Sequence, residues 1–212
     1  LYKVLKETII ASQNIRFEGD GYSDEWKDEA ARRGLTNICH VPEAIMKFND
    51  PQSRSVLIGE KIFNENELNC RIEVELEKFT KKVQIESRVL GDLAINHIVP
   101  TAVIYQNRLL ENLRGLKEIF STEEYEEMTA DRKDLVREIQ RRILSIKKAV
   151  HDMTEARKVA NHLGSQVEKA FSYEEKVRPY LEEIREHIDS LELEIDDEIW
   201  PLPKYRELLF TK

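Results

Sequence analysis

From Asn64 onward the apolar residues recur every three or four positions, in three runs. In the first, Leu68, Ile72, Leu76, Phe79, Val83, Leu90 and Leu93 keep that spacing apart from one double step. This is the period of a single buried helix face. Pro100 interrupts it, and because proline removes a backbone donor the helix is expected to kink or break near Asn96 and His97. The pattern resumes through Tyr105, Leu109, Leu113 and Leu116. The second run is Leu135, Ile139, Ile143, Ile146, Val150 and Met153, and Gly164 is its natural end. The third is Val177, Leu181, Ile184, Ile188, Leu191 and Ile195.

Start signals accompany each run. Asn64-Glu65-Asn66-Glu67 reads as a capping box. Ser121 with Glu124 is another, here expected to open a short turn before a long helix from about Asp131. Ser172 with Glu175 is read as the start of the third helix, with Pro179 bending or delaying it. Narrow apolar stripes do not hold long helices together in water. They must bury against each other, and short connections make neighbours antiparallel. The fold class is therefore all-α: an elongated antiparallel bundle of long helices, with a few short helices at the N-terminal end. The main expectation is that a charge on a stripe, such as Ile143→Asp, destabilises the fold.

Residues 1–63 have a different texture. Leu1–Gln13 looks like the tail of a helix with Val4, Leu5, Thr8 and Ile9 on one side, and Asn14–Tyr22 is irregular or a short strand. Ser23 caps a helix to Arg33, where Gly34-Leu35 fits a Schellman stop. Pro42 and Asp50-Pro51 begin two more short helices, the second ended by Gly59. These pieces read as the rim of a larger domain. The division is thus 1–63 and 64–212. The start at Leu1, directly in a helical pattern, is read as a fragment of something longer, with a trimmed N-terminus as the alternative.

Composition narrows the function classes. Of 212 residues, 35% are charged, 8% are aromatic and the net charge is -8, which leaves no electrostatic footprint for nucleic acid or an anionic membrane. No apolar run approaches the ~20 residues of a membrane-spanning helix. Two cysteines, Cys39 and Cys70, are read as free thiols of a cytoplasmic protein, Cys70 at or near the core.

Candidate chemistry is sparse. None of His40, His97, His151, His162 and His187 has Glu three positions before it, as a di-metal bundle requires. His187 has Glu183 one turn back, suited to a surface pair. Cys39-His40 is the one adjacent thiol–imidazole pair, but sequence neighbours rarely face each other. Gly19 and Gly21 read as a tight turn, and Arg137, Arg141, Arg142, Lys147 and Lys148 as a solvated face. Asp196-Asp197-Glu198 closes the third helix against its dipole. Gln84–Arg88 and Asn96–Ala102 are more polar than a stripe requires. Asn96, His97, Thr101 and Gln106 are expected to serve carbonyls freed at the proline.

Three segments carry a resemblance. Ile15–Trp26 (IRFEGDGYSDEW) with Glu29–Leu35 (EAARRGL), Lys82–Ala102 (KVQIESRVLGDLAINHIVPTA), and the closing Trp200–Phe210 (WPLPKYRELLF) together resemble the late portion of type III glutamine synthetase. The resemblance covers nearly the whole chain. It implies a large bacterial parent that joins ammonia to glutamate with ATP through a γ-glutamyl phosphate, uses divalent metal such as magnesium, and assembles as stacked hexameric rings. It implies that residues 1–63 end the catalytic domain and that 64–212 form a helical extension. Its partners are then the rest of the catalytic domain and neighbouring subunits. The family's metal, ammonia and nucleotide groups match no position here, so no catalytic, cofactor-binding or metal residue is assigned, and the chain alone is expected to be inactive. The alternative is an autonomous helical protein-interaction module. A stand-alone metal bundle is disfavoured by the missing Glu-x-x-His.

Overall fold

A computed structural model describes residues 1–209; Phe210, the last residue of the closing motif, lies outside the described residues. Among the described residues the secondary structure is helical, with no strand. Four short helices come first: α1 (Tyr2–Ala11), α2 (Asp24–Arg32), α3 (Val41–Met46) and α4 (Pro51–Gly59). Residues 14–22 hold the end of a 3-10 turn, Gln13–Ile15, and a loop rather than a strand. Gly19 is dictated by packing, since a Cβ there would stand 2.6 Å from the Phe17 ring, which itself packs on Trp26 with centroids 5.0 Å apart.

The caps of α2 follow the sequence closely. Ser23 Oγ accepts from Trp26 N–H at 3.2 Å. At the other end Gly34 takes φ +70°, with Gly34 N–H on Ala31 and Leu35 N–H on Ala30, the paired bonds of a Schellman stop. Arg32 and Arg33 both grip Glu29 and pull its carboxyl down to about 2 from 4.5. α4 ends at Gly59, as expected, and the left-handed position lies two residues beyond it at Lys61, with φ 58°.

The bundle begins at α5 (Glu65–Leu93), opened by a full Asn64/Glu67 capping box. Its stripe buries Leu68, Ile72, Leu76 and Val83, the double step to Leu90 is filled by Ser87, fully buried, and Gly91 is buried just beyond it. Pro100 does not break the helix. A π-helical turn, Ala94–Ile98, leads into α6 (Val99–Ile119), with Val99 N–H bonding back to Ala94 carbonyl. The path from Glu65 to Ile119 is continuous, about 80 Å at 1.5 Å per residue.

After Phe120 the chain reverses into α7 (Thr122–Asn161), 40 residues long. The Ser121/Glu124 box opens this long helix itself, so the short turn and the start near Asp131 are corrected. The box is formed reciprocally, and the Ser121 hydroxyl and N–H hold the Glu124 carboxyl below its ordinary value. A second correction concerns the next start. Ser165, not Ser172, caps α8 (Gln166–Ser172), and Ser172 is buried inside the helical path. A second π-turn, Tyr173–Val177, then passes through Arg178 into α9 (Pro179–Glu194), with Arg178 N–H on Tyr173 carbonyl at 2.9 Å. Pro179 therefore does not delay the start: the helical path is already running from Gln166. A short α10 (Tyr205–Leu209) follows.

Cross-helix bonds fix the antiparallel register. Gln84 meets Asn161, Gln106 meets the Val136 carbonyl and Arg132 meets Asn112 between the α5–α6 path and α7; Arg142 meets His187 between α7 and α9. The main core runs along the bundle through Val83, Ala94, Ile98, Ala102, Ile139, Ile143, Ile146, Met153, Val177, Ile184 and Leu191. A smaller core at the start of α5 joins Leu68, Ile72, Leu76 and Ala170 to Ile45, Met46, Leu57 and Ile58 of the short helices. Cys70 lies outside both and is exposed, contrary to expectation, because it faces away from the Leu68–Ile72 stripe.

Candidate functional site

The N-terminal segment is fastened to the bundle at one buried carboxylate. Glu174 sits in the second π-turn with 5% of its side chain exposed. A charge removed from water to that degree needs opposite charge and hydrogen bonds. Arg178, one turn on, donates from Nη1 to both oxygens, at 2.8 and 3.1 Å. His40 Nδ1 lies 2.8 Å from the same Oε1. Because His40 is the N-cap of α3, this contact draws together residues 134 positions apart. Cys39, His40, Glu174, Arg178, Pro179 and Glu182 line a cavity of 250 Å³ there. The imidazole bonds to a bundle carboxylate rather than to its neighbour's thiol, so the pair Cys39-His40 forms a clamp and not a nucleophile with its base.

Beneath the clamp a polar chain ties three helical segments. Tyr173 OH donates to Asn161 Oδ1 at 2.8 Å, and Gln84 Nε2 approaches the same oxygen at 3.5 Å. The π-turn thus carries two functions at once: its Tyr173 holds α7 and α5, and its Glu174 holds α3.

The opposite condition holds at α1. Tyr2, Val4, Leu5, Ile9 and Ile10 are each more than half exposed, and the helix buries no residue. An amphipathic helix with its apolar side in water is an unfinished interface.

The closing peptide finishes the other end. Trp200 is buried in the main core, with Ile199 and Leu202 against it. Lys204 passes over the Trp200 ring at 5.8 Å, donates to the Glu192 carbonyl at 2.6 Å and pairs with Asp197. A cation there complements the C-terminus of α9. Asp196 pairs with Arg108 at 3.1 Å. The acidic run is thus the anchor of a latch.

The remaining candidates are dispersed. His97 and His151 are exposed. His162 bonds the Lys158 carbonyl at 2.6 Å, and His187 turns to Arg142 at 3.4 Å instead of forming a surface pair with Glu183. In the basic cluster Arg137 pairs with Asp134, Arg141 and Arg142 with Glu138, and Lys148 with Asp152. The polar groups near Pro100 serve other ends than expected. Asn96 donates to Asp92 at 2.6 Å and Gln106 to α7, because the π-turn redirects the backbone bonds. Glu174 was invisible to sequence reasoning as a site residue. Its one local sign was Arg178 a turn later, and nothing local pointed to His40.

Residues 1–117 match the family model of the glutamine synthetase C-terminal domain. This chain belongs to that family. Over its whole length it is 76% identical to a glutamine synthetase of Bacteroides fragilis (strain YCH46). Over 99% of its length it is 27% identical to a type-3 glutamine synthetase of Dictyostelium discoideum and 28% identical to a glutamine synthetase of Butyrivibrio fibrisolvens. It spans 29% of the length of each of these relatives. The chain therefore corresponds to the C-terminal part of a glutamine synthetase. The family implies ATP and magnesium. Among the described residues no group of three or more His, Cys, Asp and Glu side chains is placed to hold a metal ion. Asp196 and Asp197 are engaged by Arg108 and Lys204. No chemical step is assigned to these residues. No helix among the described residues is long and apolar enough to cross a membrane.

Proposed function

We propose that this chain is the non-catalytic, helical C-terminal segment of a type III glutamine synthetase. The full-length parent joins ammonia to glutamate with ATP and magnesium, and this segment packs against its catalytic domain and helps assemble homo-oligomeric rings. Residues 1–63 close the catalytic domain, and the boundary lies at the Asn64 capping box. The observation that carries the reading is the contrast between α1 and the bundle. The bundle cores are filled, whereas α1 presents Val4, Leu5, Ile9 and Ile10 to solvent. The match of residues 1–117 and the 29% share of its relatives' length support a partner surface on the rest of the parent. Two free, exposed thiols support a reducing, cytoplasmic setting.

Two measurements test this. In a coupled assay the 212-residue chain, supplied with glutamate, ammonia, ATP and magnesium, is expected to show no turnover above background; turnover refutes the non-catalytic reading. A dye that fluoresces on apolar surface is expected to bind the wild-type chain and to lose most of its signal in the variant Val4→Gln/Leu5→Gln/Ile9→Gln. Absence of dye binding in the wild type would instead favour a self-sufficient interaction module.

A further inference from the structure

The segment Gln84–Arg88, more polar than its stripe requires, lies beside α7 and forms with it an open groove of 490 Å³. Its floor is Gly91, where the absence of a side chain leaves room above Val150 and the buried Met153; a Cβ there would touch both at 3.5 Å. Val89, Leu93 and Val150 supply apolar walls, and Ser87 and Thr154 add hydroxyls. Arg88 and Asp92 line the groove from α5 and Arg157 from α7.

These two arginines differ from the other cations around them. The nearby carboxylates are already engaged: Glu86 with Lys82 at 4.0 Å, Asp92 with the Asn96 amide at 2.6 Å, Asp152 with Lys148 at 2.5 Å, and Glu155 with Lys158 at 2.7 Å. Among the described residues neither Arg88 nor Arg157 has a carboxylate partner. Arg157 Nε is also buried and bonds to no acceptor. A buried guanidinium donor without an acceptor is rare and calls for a ligand. Both hydroxyls donate to their own helix, Ser87 to the Gln84 carbonyl and Thr154 to the Val150 carbonyl. The groove therefore presents two guanidinium groups, with the Asp92 carboxylate at its edge held by the Asn96 amide, above an apolar floor.

We propose that this groove binds a small organic carboxylate, with the half-buried Arg157 as the anchor, Arg88 as the outer cation, and the hydrocarbon part of the ligand over Gly91 and Val150. The planar forks favour carboxylate or phosphate over chloride, and the apolar floor favours a carbon chain over inorganic phosphate. The site is independent of whether the chain itself catalyses anything.

Calorimetric titration of the 212-residue chain with succinate, at constant ionic strength and with inorganic phosphate as a second arm, tests it. Saturable succinate binding is expected, weaker for phosphate, and reduced about tenfold or more by Arg157→Gln and by Arg88→Gln. Arg88 is exposed, so its variant reports on binding even if Arg157→Gln disturbs folding. Arg185→Gln, a surface change on α9, is expected to leave binding intact. Absence of saturation, equal binding by both arginine variants and wild type, or preference for phosphate overturns the proposal. So does a result in which the variants alter self-association by sedimentation but not succinate binding, since that would assign the groove to an acidic segment of a second copy.

Discussion

Placing a carboxylate at Ile146 measures how much of the stability resides in the shared core. Ile146 is fully buried on α7. Truncation alone, Ile146→Ala, removes the contacts of a core side chain and costs about 2–5 kcal/mol. Ile146→Asp adds a charge with no cation placed to meet it. A fully buried carboxyl has its pKa raised by up to about 3–5 units, to about 7–9, so at neutral pH it takes up a proton and the cost is capped at about 3 units of about 1.4 kcal/mol each, or about 4 kcal/mol. The sum rivals the whole stability of a typical domain, about 5–15 kcal/mol. The control is Leu144→Asp, two positions earlier and 59% exposed, which should stay within about 0.5 kcal/mol. Urea unfolding followed by helical circular dichroism is the assay. The sign with pH is fixed: an acid whose folded pKa is raised destabilises fully above that value and recovers as pH falls towards the unfolded pKa. The charge-dependent loss should therefore shrink in acid while the cavity loss remains. Equal midpoints for Ile146→Asp and Leu144→Asp would refute a bundle held by its stripes.

Glu174→Ala should cost about 1–3 kcal/mol, because Arg178 and His40 both lose their acceptor; hydrogen exchange should accelerate in α3 but not in mid-α7, and uniform acceleration would argue against a local clamp. Glu29 has its carboxyl lowered to about 2 by Arg32 and Arg33. Its contribution should be complete above about 4.5 and fade as pH falls through about 2, and an NMR titration midpoint near the ordinary value would contradict the grip. Trp200→Ala should cost about 3–5 kcal/mol as a large core side chain is lost. In the wild type the buried Trp200 should emit to the blue of Trp26, so a Trp26→Phe variant that emits like free tryptophan would place the closing peptide outside the core.

The long-range order was legible because buried stripes repeat with the helix and short connections leave one antiparallel arrangement. The capping boxes at Asn64 and Ser121 and the stop at Gly34 rest on local bonds and could be read as such. Errors arose where several signals of one kind competed. Ser121 opens α7 directly although the apolar run starts only near Leu135, since the first turns need a cap before they need a core. Ser165 and Ser172 both precede a glutamate by three positions, and only the geometry of the preceding turn chooses between them. Pro100 and Pro179 read as interruptions because a helical period has no room for a proline away from the first turn. The Glu174–His40 bond could not be read at all, since chain closure over 134 positions leaves no local trace. The solvent-facing side of α1 was visible as periodicity, but its lack of a covering element was not.

The two π-turns bear on how this polypeptide tolerates insertion and deletion. Ala94–Ile98 and Tyr173–Val177 each end two residues before a proline, and each closes with a bond spanning five positions. The widened turn houses one residue more than an α-turn, and the ring that follows lacks the donor an α-turn would demand there. The supernumerary residue and the imino acid are thus a matched couple. Deleting Asn96 alone would tighten the backbone against the Pro100 ring and strand a carbonyl. Deleting it together with Pro100→Ala would restore an unbroken α-spiral with downstream faces still aimed at their neighbours. Length drift at these points is expected to occur in concert with the ring, not separately from it.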